Sequence, residues 1–143
     1  MQLGRQVQCI VARDVADFAL RAAIANPSSI FNVTSTPFQL DTLLQAINRL
    51  SGAKASFVPL PDQTLLDAAV GPWMNLPLWL PGGPEHAHFF DIPTAKARAI
   101  GLKTRPLDDT LAPLLDWDRA RRDVALSTGL SADQEALLLA AQP

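Results

Sequence analysis

The sequence predicts an α/β fold, on three observations. Short apolar runs rich in β-branched and aromatic residues recur at 7–12, 30–33, 55–58 and 87–90. Between them apolar residues repeat at helical spacing, and several of these stretches carry a residue suited to a helix terminus. The chain of 143 residues is 48% hydrophobic and 18% charged, enough for one core and too apolar for a disordered segment.

The elements follow in order. After the run at 7–12, Asp14 suits an N-cap, and Val15, Phe18, Ala19 and Ala22 share one face of the helix behind it, which Pro27 should end. Ile30, Phe31 and Val33 read as a second strand. Leu40, Leu43, Leu44, Ile47 and Leu50 then repeat at helical spacing up to Gly52, with Gln39 a poor cap before them. A third strand at 55–58 leads through Pro59 and Pro61 to Asp62 and a short helix bearing Leu65, Leu66 and Ala69.

Residues 71–84, GPWMNLPLWLPGGP, hold four of the 12 prolines and two of the three tryptophans. Proline fixes φ and removes an amide donor, so this stretch reads as a rigid apolar loop. A strand at 87–90 precedes Asp91 as a helix start, and that helix ends at Gly101. Leu107, Leu111, Leu114 and Leu115 stripe the next helix, where Pro113 predicts a bend and the closing Trp117 a core position. Residues 127–134 read as a linker with Ser131 a cap, followed by a terminal helix carrying Leu137, Leu138 and Leu139.

Three segments together resemble the C-terminal, substrate-binding half of extended short-chain dehydrogenase/reductases, the NAD-dependent epimerase/dehydratase family. They are QCIVARDVADFAL at 8–20, IFNVTSTPFQLDTLLQAINRLSG at 30–52, and HFFDIPTAKARAIGLKTRPLDDTLAPLLDW at 88–117. In the last, the matching residues are Asp91, Lys96, Ala97, Arg98, Gly101, Arg105, Pro106, Asp109 and Trp117. The resemblance covers about residues 6–122 and implies the C-terminal part of an NAD(P)-binding Rossmann-type enzyme that lacks the N-terminal dinucleotide-binding region. It divides the chain into a substrate-binding region at 1–122 and a linker with a C-terminal helix at 123–143.

Family members cradle the dinucleotide on a Gly-rich turn and protonate with a Tyr-x-x-x-Lys pair. This chain has no Tyr, and its 7 glycines form no G-x-G-x-x-G cluster. No catalytic residue and no cofactor is therefore assigned to it; NAD(P) belongs to the complete enzyme that the resemblance implies. Members acting on sugar nucleotides often carry Arg seven residues before the acidic cap. That position is Val7 here, with Arg5 the nearest arginine, which turns the expectation toward other small carbonyl or hydroxyl compounds.

A net charge of −2 gives no footprint for nucleic acid, and the cluster Arg119, Arg121 and Arg122 reads as a solvated helix end. A single cysteine excludes an internal disulfide and a Cys-rich zinc site; Cys9, in an apolar run, reads as a small buried hydrophobe. No run approaches a membrane span, no signal peptide is visible at Met1, and a cytoplasmic chain is expected. His86 and His88 at i, i+2 face one side of a strand, but no third ligand is near, so no metal is assigned. Asp108 and Asp109 fall in a helix's first turn, where they complement the macrodipole.

The residues assigned to substrate binding are Trp73, Asn75, Trp79 and Arg13. The prolines hold the two indoles as an apolar wall, Asn75 offers an amide for orientation, and, by the resemblance, Arg13 ends a strand near the cleft. For the tryptophans the competing reading is core packing.

The sequence thus points to the substrate-binding portion of an NAD(P)-dependent oxidoreductase or epimerase, inactive alone, with a missing Rossmann half or self-association covering faces such as Val15, Phe18 and Ala22, or Leu111, Leu114 and Leu115. The alternatives are a stand-alone, non-catalytic ligand-binding or regulatory module of the same fold, or a decayed fragment.

Overall fold

The computed structural model describes residues 4–25, 28–121, 124 and 127–140; Pro27 and Arg122, named above, lie outside them. The architecture mixes helix and sheet. Among the described residues there are six α-helices: α1 (Ala12–Ala25), α2 (Leu40–Ser51), α3 (Asp62–Asp67), α4 (Ala95–Ala99), α5 (Leu107–Ala120) and α6 (Ala132–Ala140). The sheet is a two-stranded antiparallel ribbon of β1 (Gln6–Val7) and β2 (Phe38–Gln39), with Gln6 opposite Gln39 and Val7 opposite Phe38.

The expected strands are largely absent among the described residues. Of the four apolar runs only Val7 pairs; 8–11, 30–33 and 55–58 carry no strand, and 87–90 turn directly after a 3-10 turn at Pro84–His86. The reason is the absence of a neighbour. Strand propensity is realised only when a second chain segment takes the ladder bonds, and among the described residues the backbone of 30–34 and 56–59 bonds to no other backbone group. Ile30 is left 89% exposed.

Helix periodicity fares better because it is local. In α2, Leu40, Leu43 and Ala46 are buried while Leu44, Ile47 and Leu50 pack around them. The helix stops at Gly52, whose φ of 71° is the left-handed conformation that a Cβ disfavours. Gln39 makes no side-chain cap bond. Helix α5 crosses α2, burying Leu111 in the same cluster with Val7, and Arg49 ties to Asp108 at 2.7 Å. Helix α5 runs unbroken through Pro113.

Three helix details differ from expectation. Helix α1 starts at Ala12, so Asp14 is its third residue rather than its cap. Helix α4 starts at Ala95 and not Asp91, because Pro93 disfavours helical backbone in the residue before it. Trp117 is 56% exposed with the Arg121 guanidinium 4.3 Å over its ring; six residues beyond Leu111 it lies about 240° around the helix, away from the buried face.

Two further clusters complete the interior. Phe18, Ala97 and Leu102 join α1 to α4, with Phe31 edge-on to Phe18 at 5.7 Å. Leu65, Val70, Trp79 and Leu138 join α3, the proline-rich loop and α6. Thus Phe18 and Leu111 find cover within the chain, whereas Val15 and Leu114 stay exposed, as do Leu20, Ile24, Leu137 and Leu139.

Ser131 acts as the cap expected of it. Its Oγ accepts from the Gln134 amide at 3.2 Å, while its own amide donates to Gln134 Oε1 at 3.0 Å, a reciprocal capping box. Ser131→Ala is expected to destabilise α6 by about 1 kcal/mol. The check is hydrogen exchange of the α6 amides, which should quicken while those of α2 do not.

Candidate functional site

The loop at 71–79 is knitted to itself. The Asn75 side-chain oxygen accepts from the Gly71 amide at 2.7 Å, and the Asn75 amide donates back to the Gly71 carbonyl at 3.0 Å. A Cβ at Gly71 would meet Asn75 Oδ1 at 2.8 Å, so any side chain there would have to displace the Asn75 oxygen that makes this bond. The Trp73 amide donates to the Trp79 carbonyl at 3.0 Å. Ala69, Trp73 and Leu78 all have positive φ, between 55° and 64°. Such backbone costs about 1–3 kcal/mol per residue and persists only where surrounding bonds impose it.

This loop sends its two tryptophans in opposite senses. Trp79 is 0% exposed, and its indole nitrogen donates to Asp62 Oδ1 at 2.9 Å. Asp62 also accepts from the Gly82 amide at 2.7 Å and from Arg5 Nη2 at 2.7 Å, a knot linking the first turn of α3, the loop and the chain before β1. Burial by itself raises the Asp62 carboxyl; the bonds from Trp79, Gly82 and Arg5 outweigh it and hold the group below the usual carboxylate range.

Trp73 is 43% exposed and meets two residues that the sequence reading did not single out. Its ring lies 6.1 Å from that of Phe90, stacked at 22°, and 5.6 Å from that of Phe89, edge-on at 65°. Phe89 and Phe90 are themselves edge-on at 5.0 Å. On a strand these neighbours would point to opposite faces; the turn at 87–90 lets them converge. The signal available was their adjacency beside an aromatic, proline-rich loop.

These rings form one wall of an open hollow of about 480 Å³, whose other residues are Gln8, Phe31, Asn32, Val33, Thr34 and Ile92. Gln8 is a buried strut. Its amide nitrogen donates to the Ser35 and Ile92 carbonyls at 2.8 and 3.0 Å, and its oxygen accepts from the Ile92 amide at 2.8 Å. The Asn32 amide donates to the Pro93 carbonyl at 3.2 Å. No sequence pattern distinguishes Gln8 from a surface glutamine.

Of the four assigned residues, then, only Trp73 lines this hollow. Trp79 plugs a core, Asn75 closes its own loop, and Arg13 is exposed in the first turn of α1. Beside Arg13 the buried Asp14 accepts from the Arg105 amide at 2.9 Å and from its Nε at 2.6 Å, 91 residues along the chain. Burial raises the Asp14 carboxyl, but the hydrogen bonds and charge of Arg105, with the charge of Arg13, hold it below its ordinary value.

Cys9 is half-buried, and burial pushes its thiol up, which suits packing rather than nucleophilic attack. His86 and His88 lie in turns, not on a strand; His86 Nδ1 donates to the Pro81 carbonyl at 3.1 Å, and His88 lies 3.7 Å from Asp91. Among the described residues no three His, Cys, Asp or Glu side chains gather as a metal site.

The residues present do not fit a dinucleotide. The one adjacent glycine pair, Gly82 and Gly83, precedes a three-residue 3-10 turn instead of a helix, and the Gly82 amide is spent on Asp62. Among the described residues no helix is long and apolar enough to cross a membrane. Compared with protein-family models, with curated proteins and with solved structures, the chain matches none.

Proposed function

We propose that this chain is the substrate-binding portion of an NAD(P)-dependent oxidoreductase or epimerase of the extended short-chain dehydrogenase/reductase type. It supplies pocket walls for a small carbonyl or hydroxyl compound and is inactive alone. The Rossmann-type dinucleotide region and the proton donor lie outside this sequence, which contains no Tyr.

The hollow beside Trp73 carries the reading. Its size falls in the range of small-molecule sites, about 300–1,000 Å³. One side is aromatic; the other is the run 31–34, whose backbone has no backbone partner among the described residues and is open to a further strand. Such a site has two sides here and stays open to a second body. The bond between Asp14 and Arg105 adds support, since it joins two segments that carry the resemblance, Arg-Asp-Val-Ala and the basic-Pro turn.

The purified chain should show no saturable heat with NAD⁺ or NADPH in calorimetry, because its glycines form no cluster that could gather amides on a pyrophosphate. Combined with a region carrying a Gly-rich turn and Tyr-x-x-x-Lys, encoded in frame or adjacent, it should support NAD(P)H oxidation by small carbonyl compounds. Trp73→Ala should then change selectivity among them by about 1–3 kcal/mol. Micromolar dinucleotide binding by the chain alone overturns the reading. So does a sharp monomer peak in light scattering with no such coding region nearby, which points to an autonomous binding module.

A further inference from the structure

The walls of the Trp73 hollow limit what it can hold. None of its nine lining residues is charged: four are aromatic, two aliphatic and three neutral polar. Trp73 and Phe90 lie within 22° of parallel, with Phe89 edge-on to both, so the wall offers a face and an edge to a flat ring. The strained backbone at Trp73, fixed by the hydrogen bond from its amide to the Trp79 carbonyl, holds the indole in this position.

The side-chain polar capacity is small, and that of Gln8 is fully used. All three hydrogen bonds of Gln8 go to backbone groups, and the Asn32 NH₂ is engaged with the Pro93 carbonyl. Thr34 has no hydrogen-bond partner for its hydroxyl among the described residues, which leaves that side chain as a donor for a carbonyl oxygen, beside the Trp73 indole N–H. Lys96 is not among the lining residues, and its Nζ lies 5.3 Å over the Phe31 ring. A diphosphate placed here would lose water and gain no cation in the lining, a heavy cost.

We infer that the Trp73 hollow binds an uncharged, ring-bearing carbonyl compound or its alcohol, the ring against Trp73, Phe89 and Phe90 and the oxygen at Thr34, and that it excludes sugar nucleotides. The inference rests on the substrate-binding reading above and specifies its ligand class.

Titration of the ¹⁵N-labelled chain with 2-acetylnaphthalene should move the Trp73 indole resonance saturably and leave that of Trp117 in place. The same-shaped anion 2-naphthoate should bind about tenfold more weakly, and UDP-glucose should leave the resonance unmoved. Phe89→Ala, at a ring half exposed to solvent, should weaken the ketone about three- to tenfold while the thermal melt stays put. Thr34→Val should weaken 2-acetylnaphthalene but not naphthalene. Equal or tighter binding of naphthoate or UDP-glucose overturns the inference, as does a Trp73 resonance that the ketone does not move. The two readings fail separately. A Trp73 titration with no NAD(P)H oxidation by any carbonyl compound removes the dehydrogenase assignment and keeps the ligand class; NAD(P)H oxidation with sugar nucleotides and a silent Trp73 does the reverse.

Discussion

Trp79→Ala is expected to cost about 3–5 kcal/mol, the range for truncating a large buried aromatic side chain. The indole is fully buried among Leu65, Val70 and Leu138, so its removal leaves a cavity that joins the loop, α3 and α6. It also strips one of the three donors from Asp62, while the carboxylate remains partly buried with Arg5 and Gly82. Trp79→Phe separates the two contributions: it keeps most of the ring volume, loses the N–H, and should cost about 1–2 kcal/mol for the unmet acceptor. Urea denaturation gives both values, and hydrogen exchange should show α6 released first because Leu138 packs in this cluster. A melt shifted by less than a degree or two, with altered ligand selectivity among the folded molecules, would instead place Trp79 in a binding surface.

Asp14→Ala should cost about 2–4 kcal/mol. The carboxylate is almost sealed and takes both the amide and Nε of Arg105, so its loss leaves the Arg105 amide and guanidinium without their acceptor. The lower part of the usual range applies because Arg105 keeps some contact with water. The pH dependence has a definite sign. A carboxyl whose folded pKa lies below its unfolded value, about 3.9, contributes its full stability above that value and loses it as pH falls through the folded pKa. Asp62 is lowered in the same sense, so acid loosening should set in below about pH 4 from both sites. Asp14→Asn, which keeps the shape, should flatten the fall in urea midpoint between pH 5 and pH 2.5 relative to the parent chain. An unchanged slope would show that the Asp14–Arg105 bond does not persist in solution.

The sequence by itself determined the local elements. The apolar repeat and Gly52 mark α2, Ser131 opens α6 with its Gln134 partner, and Asp108 sits in the first turn of α5. Each depends on residues within about one or two helical turns, so composition and spacing suffice. It also shows that this chain, with no Tyr, supplies no phenolic proton donor. Tertiary structure alone decided the rest. Runs at 30–33 and 55–58 have strand-forming residues but no strand, because ladder bonds need a neighbour that periodicity cannot supply. Asp14 suits a cap by position, yet its partner Arg105 is 91 residues away. Trp73 and Trp79 are equivalent as letters in one proline-rich loop. The positive φ at Trp73, the Asn75–Gly71 closure and the acceptor at Asp62 turn one indole to solvent and the other into the core, and these are contacts made only once the chain has folded.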